Sequence, residues 1–141
     1  MSKRKRKKPK DHIIVLKEGR FYNVHDGSSK GHPGRIEIAD YKNNVFLSIT
    51  THSLTEDEYM QKKANSSFRK DYIELSVPTS QDVYKSYINK RPFIGTRDDF
   101  GDKEYLDMTF NREDEKKIDK VKKKKPRQGY WFKRKKIKAF N

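Results

Sequence analysis

The chain has 141 residues, of which 31% are hydrophobic and 39% charged, with a net charge of +15; this length favours one core, and the shortage of apolar residues confines that core to part of the chain. It contains no cysteine, which excludes disulfides, thiolate nucleophiles and thiolate zinc sites and agrees with a reducing compartment. No apolar run approaches the ~18 residues of a spanning helix, and no h-region follows the basic N-terminus, so a cytoplasmic protein without membrane contact is expected.

The charge is unevenly spread. Residues 1–10 (MSKRKRKKPK) carry seven Lys or Arg and no acid, and residues 116–141 carry thirteen against Asp119 alone, which leaves residues 11–115 at a net −4. A mildly acidic domain therefore stands between two basic arms. Such arms neutralise phosphates and release counterions, giving salt-dependent affinity with little sequence preference. The excess of Lys over Arg, 25 to 10, agrees with AT-rich coding sequence of the kind found in low-GC bacteria and their mobile elements.

In chain order, residues 1–10 form a basic arm with nothing to bury. Residues 12–16 (HIIVL) read as a short buried strand, and residues 21–24 (FYNV) as a second that pairs back on it. Residues 25–34 (HDGSSKGHPG) hold three Gly, one Pro and two Ser and mark an exposed loop. Residues 35–39 (RIEIA) alternate with period two, placing Ile36 and Ile38 on one face. After a turn in which Asn43 and Asn44 tolerate left-handed backbone, residues 45–51 (VFLSITT) form the strongest predicted strand. Its antiparallel pairing with 35–39 brings Gly34 and His52 to one edge.

Residues 55–63 fit either a short helix capped by Thr55 or a long loop, and residues 64–67 read as loop. Further short strands are predicted at 72–77, 83–88, 92–96 and 104–110. At least five short strands with almost no helix between them argue for a mainly β domain, a small barrel spanning 11–110. Asn111 then caps a basic helix over 111–125 whose apolar stripe is only Ile118 and Val121, and Pro126 ends it. The basic and aromatic tail of 126–141 follows.

No Walker loop, dinucleotide fingerprint, HExxH or nucleophile elbow is present, the four His lack the spacing of a metal set, and no cofactor is expected. What remains is metal-free RNA cleavage, which needs a base for the 2′-OH, an acid for the leaving 5′-oxygen and a cation on the phosphate. His32, Thr51, His52, Arg97 and Asp98 fall at predicted strand ends or turns and are the candidates. For nucleic-acid binding the candidates are Lys3, Arg4, Lys5, Arg6, Lys7 and Lys8 in the first arm and Arg35 and Arg91 in the domain. Beyond it come Lys122, Lys123, Lys124, Lys125, Arg127, Lys133, Arg134, Lys135 and Lys136. Tyr130, Trp131 and Phe132 lie among these cations, either stacking on unpaired bases or docking the tail on the domain.

The order of short words resembles the MazF/PemK group of toxin-like proteins. A basic-Gly-X-Pro run is followed by a strand, a turn and a strand ending in Thr-His-Ser; then come YIELSV, SYINKRPFIGTRDDFG and the acidic-then-basic NREDEKKIDKV. The resemblance covers roughly residues 25–121. It implies an SH3-like, PemK-like β-barrel with a C-terminal helix, a homodimer, metal-independent endoribonuclease activity and an antitoxin partner. Carried over, residues 30–33 (KGHP) take the position of the family's basic-Arg-Pro run and Thr51 that of the Thr or Ser ending the next strand. His32 stands where the family has Arg, which leaves Arg91, before Pro92, and Arg97 to supply the cation. Two readings follow: a nucleic-acid-binding accessory protein of bacterial or mobile-element type, on RNA or DNA or within a nucleoprotein, which the arms favour; and an endoribonuclease with His32 and His52 as acid and base.

Overall fold

A computed structural model describes residues 12–62 and 70–139, with the backbone alone at 62 and 136–139. Its elements are β1 (Phe21–Val24), β2 (His32–Asp40), β3 (Val45–Leu54), α1 (Glu56–Lys62), β4 (Tyr72–Glu74), β5 (Lys85–Asn89), β6 (Phe93–Gly95), β7 (Phe100–Tyr105), α2 (Glu115–Val121), β8 (Arg127–Gln128) and α3 (Tyr130–Ala139). Turns of 3-10 helix lie at Arg97–Asp99 and Arg112–Asp114. The arm expected at 1–10 and the loop expected at 64–67 fall outside the described residues.

The protein is mainly β with a short helix near the C-terminus. Eight strands form one sheet in the order β4-β5-β3-β2-β1-β7, with β6 on β3 and β8 on β6. Pairing is antiparallel except between β6 and β8. β3 is the hub: one edge carries β2, and the other carries β6 along residues 46–48 and β5 along residues 51–54. The sheet is not closed into the expected barrel, because closure needs a ladder around the whole ring. Both edges of β6 are taken, by β3 and β8, which leaves it none to offer β7.

Alternation along the strands feeds two cores. Leu16, Tyr22, Val24, Ile36, Phe46, Phe93 and Phe100 make one; Phe21, Ile49, Leu75, Ile88, Phe110, Ile118 and Val121 make the other. Ile118 and Val121 are the thin stripe through which α2 docks, and burying each contributes roughly 1.5–3 kcal/mol. Arg35 reinforces the dock from β2, donating to Glu115 at 2.7 and 2.8 Å and to Glu37 at 2.5 and 3.1 Å.

Four expectations need correction. Residues 12–16 are not a strand: Leu16 is buried, but Ile13 is 93% exposed, and β1 pairs with β2 and β7 instead. Ile36 and Ile38 do not share a face, because a bulge between them leaves Ile38 51% exposed while Ile36 is buried. The strand expected at 72–77 stops at Glu74, since the N–H groups of Ser76 and Val77 turn to the buried Asp114 carboxylate at 2.8 and 3.3 Å. The strand expected at 104–110 is β7, at Phe100–Tyr105: its ladder with β1 runs from Phe100 to Tyr105, and Phe110 is buried in the other core outside any strand. Asn44 has φ 55°, as the Asn-Asn turn suggested. Of helix and loop at 55–63 the structure has the helix, with Thr55 and Glu58 capping each other. The helix expected over 111–125 is shorter, Asn111 capping the 3-10 turn Arg112–Asp114 at 2.9 Å from Glu113 N–H before α2 spans Glu115–Val121.

The segment after Pro126 is held against the sheet. Arg127 N–H donates to Pro92 O and Gly129 N–H to Ile94 O, each at 2.8 Å. The Asp99 carboxylate, 1% exposed, then accepts from the N–H groups of Trp131 and Phe132 at 2.8 and 3.0 Å, capping the first turn of α3 from another part of the chain. It also accepts Thr96 N–H and Oγ–H. Gly129 makes this approach possible, since a Cβ there would lie 2.5 Å from Asp99 Cγ. Gly129→Ala is therefore expected to cost about 1–3 kcal/mol of stability in urea unfolding, with Trp131 fluorescence following the loss; a stability change under ~0.5 kcal/mol would contradict the tight packing.

Candidate functional site

The β2–β3 ladder pairs Gly34 with Thr50, so continuing it two residues sets His32 opposite His52. The rings meet there, with His32 Nε2 at 3.0 Å from His52 Nδ1 and ring centroids 5.0 Å apart. Behind His32, Asp26 reaches Nδ1 at 2.6 Å from the loop between β1 and β2. Gly31, at φ 70°, allows that loop to fold back, because a Cβ would lie 2.5 Å from Val24 O.

His32 uses its opposite ring nitrogens for the two partners, so the three groups form a line and not a ligand set around one point. Nδ1–H donates to the carboxylate; Nε2 then either accepts from His52 Nδ1–H or, in the imidazolium, donates to it. These states differ by one proton, which makes Asp26–His32–His52 a proton relay. Burial pushes the Asp26 carboxyl upward, but the hydrogen bond and charge of His32, with the Ser28 O–H and N–H, hold it below its ordinary value.

The second half of the site comes from β4 and the C-terminal segment. The His52 and Tyr72 rings tilt together at 5.5 Å. Burial raises the Tyr72 hydroxyl's pKa, Arg127 opposing, so it keeps its proton at neutral pH. Arg127 donates from Nη2 to Thr50 Oγ1 at 2.7 Å and from Nε to Arg91 O at 3.3 Å, and its guanidinium lies 5.7 Å from the Phe93 ring centroid. Thr50 and His52 are two apart on β3 and share a face. Burial lowers the pKa of Arg127, Asp26 and Tyr72 acting against it, and the group remains a cation. Among the described residues no carboxylate lies within ion-pair distance of it. A half-buried guanidinium in that state is suited to an anionic oxygen.

The predicted site residues divide accordingly. His32 and His52 come together as expected. Thr51 does not orient them: it is buried, with its hydroxyl on Pro33 O at 3.0 Å, and the threonine facing the site is Thr50. Arg97 and Asp98 belong to another set of contacts. Arg97 donates to the Ile14, Phe100 and Gly101 carbonyls and to Asp102, while Asp98 and Asp102 each bind one ring nitrogen of His12 at 2.9 Å. They tie residues 12–14 to the 3-10 turn.

Among the expected nucleic-acid contacts, Arg35 is engaged by Glu37 and Glu115 and lies over the Phe110 ring, and Lys122 approaches Glu37 at 3.7 Å. Arg91 holds the Lys125 and Pro126 carbonyls. Tyr130, Trp131 and Phe132 are half-buried at the start of α3, with Arg134 over the first two rings. Lys135 binds Asn43 O. Lys123, Lys124, Lys125 and Lys133 are exposed. Residues 3–8 and the Lys136 side chain lie outside the described part.

Sequence reasoning missed Asp26, Thr50 and Tyr72 and gave Arg127 to a tail. The Asp-Gly-Ser-Ser run before His32 was the one local signal for Asp26; Arg127 had none, since its place depends on Asp99. A separate depression lined by Arg20, Phe21, Glu104 and Tyr105 holds an Arg20–Glu104 pair at 2.8 Å and no histidine.

Comparison with protein-family models, curated proteins and solved structures found no match.

The depressed pKa of Asp26 has a stability consequence. Its contribution is complete above the ordinary aspartate value of about 3.9 and is lost as pH falls through the lower folded value. The stability gap between the native protein and Asp26→Asn, read from urea midpoints, is expected to be full at pH 6 and to shrink steadily below pH 4. A gap independent of pH would contradict the pairing.

Proposed function

We propose that the protein binds RNA and cleaves its phosphodiester backbone without a metal ion, through the 2′-OH. The observation that carries this reading is the line Asp26–His32–His52 ending beside Thr50 and an Arg127 that has no carboxylate within ion-pair distance among the described residues. His52 takes the 2′-OH proton, with His32 and Asp26 stabilising the charge it acquires. The 2′-oxygen bonds to phosphorus as the bond from phosphorus to the 5′-oxygen breaks. The Tyr72 hydroxyl supplies the leaving oxygen's proton, and Arg127 with Thr50 holds the non-bridging oxygens. The products are a 2′,3′-cyclic phosphate and a free 5′-OH.

Arg127 takes the part that the resemblance to MazF/PemK proteins left open when His32 replaced the family's Arg. Kinship with that group, a homodimer and an antitoxin partner rest on that resemblance alone. A second reading, nucleic-acid binding without cleavage, is favoured by the +7 and +12 of the terminal regions, which exceed what one scissile phosphate requires.

Labelled single-stranded RNA in chelator separates the two. Cleavage yielding cyclic-phosphate ends is expected from the native protein. His52→Ala should slow it by on the order of 10²–10⁴ while leaving the affinity for 2′-deoxy oligonucleotide unchanged. RNA that stays intact yet tightly bound would leave the binding reading alone standing.

A further inference from the structure

Beyond Lys122, which pairs with Glu37 and Asp119, the chain carries Lys123, Lys124 and Lys125 in succession, all exposed and none within ion-pair distance of a carboxylate among the described residues. Basic residues after a helix suit its C-terminal dipole, but that effect fades within the last turn. α2 ends at Val121, so the dipole accounts for Lys122 better than for three further cations that repel one another.

These cations sit on a fixed turn. Lys123 N–H donates to Lys120 O and Lys124 N–H to Val121 O. Arg91, which opens the turn into β6, donates Nε–H to Lys125 O at 2.9 Å and Nη2–H to Pro126 O at 3.1 Å. Arg127 closes the arrangement with N–H on Pro92 O and Nε–H on Arg91 O. One guanidinium is thus spent on holding the lysine-bearing turn, and the next residue with a guanidinium enters the site. Two residues of chain separate Lys125 from Arg127, so their Cα atoms lie at most ~7 Å apart, which puts the two cations within reach of neighbouring phosphates of one strand.

We propose that the turn of residues 123–126 is a second phosphate subsite, taking the backbone phosphate next to the scissile one in an unpaired RNA strand. This rests on the cleavage reading for the identity of the strand. The subsite makes the protein discriminate by length: a dinucleotide reaches only Arg127 and the histidines, and a longer strand also engages the lysines.

The test uses the full chain and the triple variant Lys123→Gln, Lys124→Gln, Lys125→Gln, beside Lys17→Gln, Lys42→Gln, Lys103→Gln, which removes the same charge elsewhere. With decanucleotide RNA the turn variant is expected to raise KM on the order of tenfold at unchanged kcat, and to lower the salt slope of 2′-deoxy decanucleotide binding by about 0.7, the value for one phosphate on a single strand. With a dinucleotide its kcat/KM should stay within about twofold of native, as should the control variant on both substrates. Equal losses on dinucleotide and decanucleotide, or equal losses in the two variants, would overturn the subsite in favour of a general field. If native protein cleaves neither RNA, the cleavage reading falls, and the salt slopes still decide whether the turn holds a phosphate.

Discussion

One buried carboxylate determines how the two ends of the domain meet. Asp99 sits at 1% exposure with no cation paired to it among the described residues, and its charge is matched by hydrogen bonds from Thr96, Trp131 and Phe132. An ionised group in that position is tolerable only while those donors stay in place. Losing the C-terminal segment would therefore expose the sheet edge and strand a buried charge together. The glycines at 95 and 129 follow from the same requirement, since a Cβ at either would lie within 2.7 Å of the Asp99 side chain. Arg127, two residues before Gly129, is carried to Thr50 by this dock.

The basic residues then divide by what faces them. Arg20, Arg35 and Arg97 have carboxylate partners and serve the fold. Arg91 is engaged by carbonyls and stiffens a turn. Arg127 donates to the Arg91 carbonyl and to Thr50, and among the described residues neither it nor the exposed Lys123, Lys124 and Lys125 lies within ion-pair distance of a carboxylate. The histidine pair lies at the same end of β3 as Thr50, so the Arg127 guanidinium and the imidazoles share that end of the strand.

Much of the fold was legible locally. The strand at VFLSITT, the Asn-Asn turn, the Thr55 cap of the helix alternative at 55–63 and the capping role of Asn111 are short-range effects, and each is found in the structure. The thin Ile118/Val121 stripe correctly implied a helix docked on one face. What failed depended on distant partners. Residues 12–16 have strand composition, yet Arg97 and His12 hold them as an irregular strap and β7 takes the edge of β1. β7 runs over Phe100–Tyr105 because it pairs with β1, a partner about eighty residues earlier in the chain.

The histidines were legible as chemistry because strand pairing set them at one edge. The place of Arg127 beside Thr50 was not legible, because it reads as one more charge in a basic tail until Asp99 is seen to fix α3. A double-mutant cycle on the affinity for a 2′-deoxy dinucleotide measures that dependence of Arg127 on Asp99. Arg127→Ala and Asp99→Ala are each expected to weaken binding, and the double variant to bind no more weakly than Arg127→Ala alone, since both remove the same contact. Losses that multiply in the double variant would contradict the account, for they would mean that Asp99 does not act through Arg127.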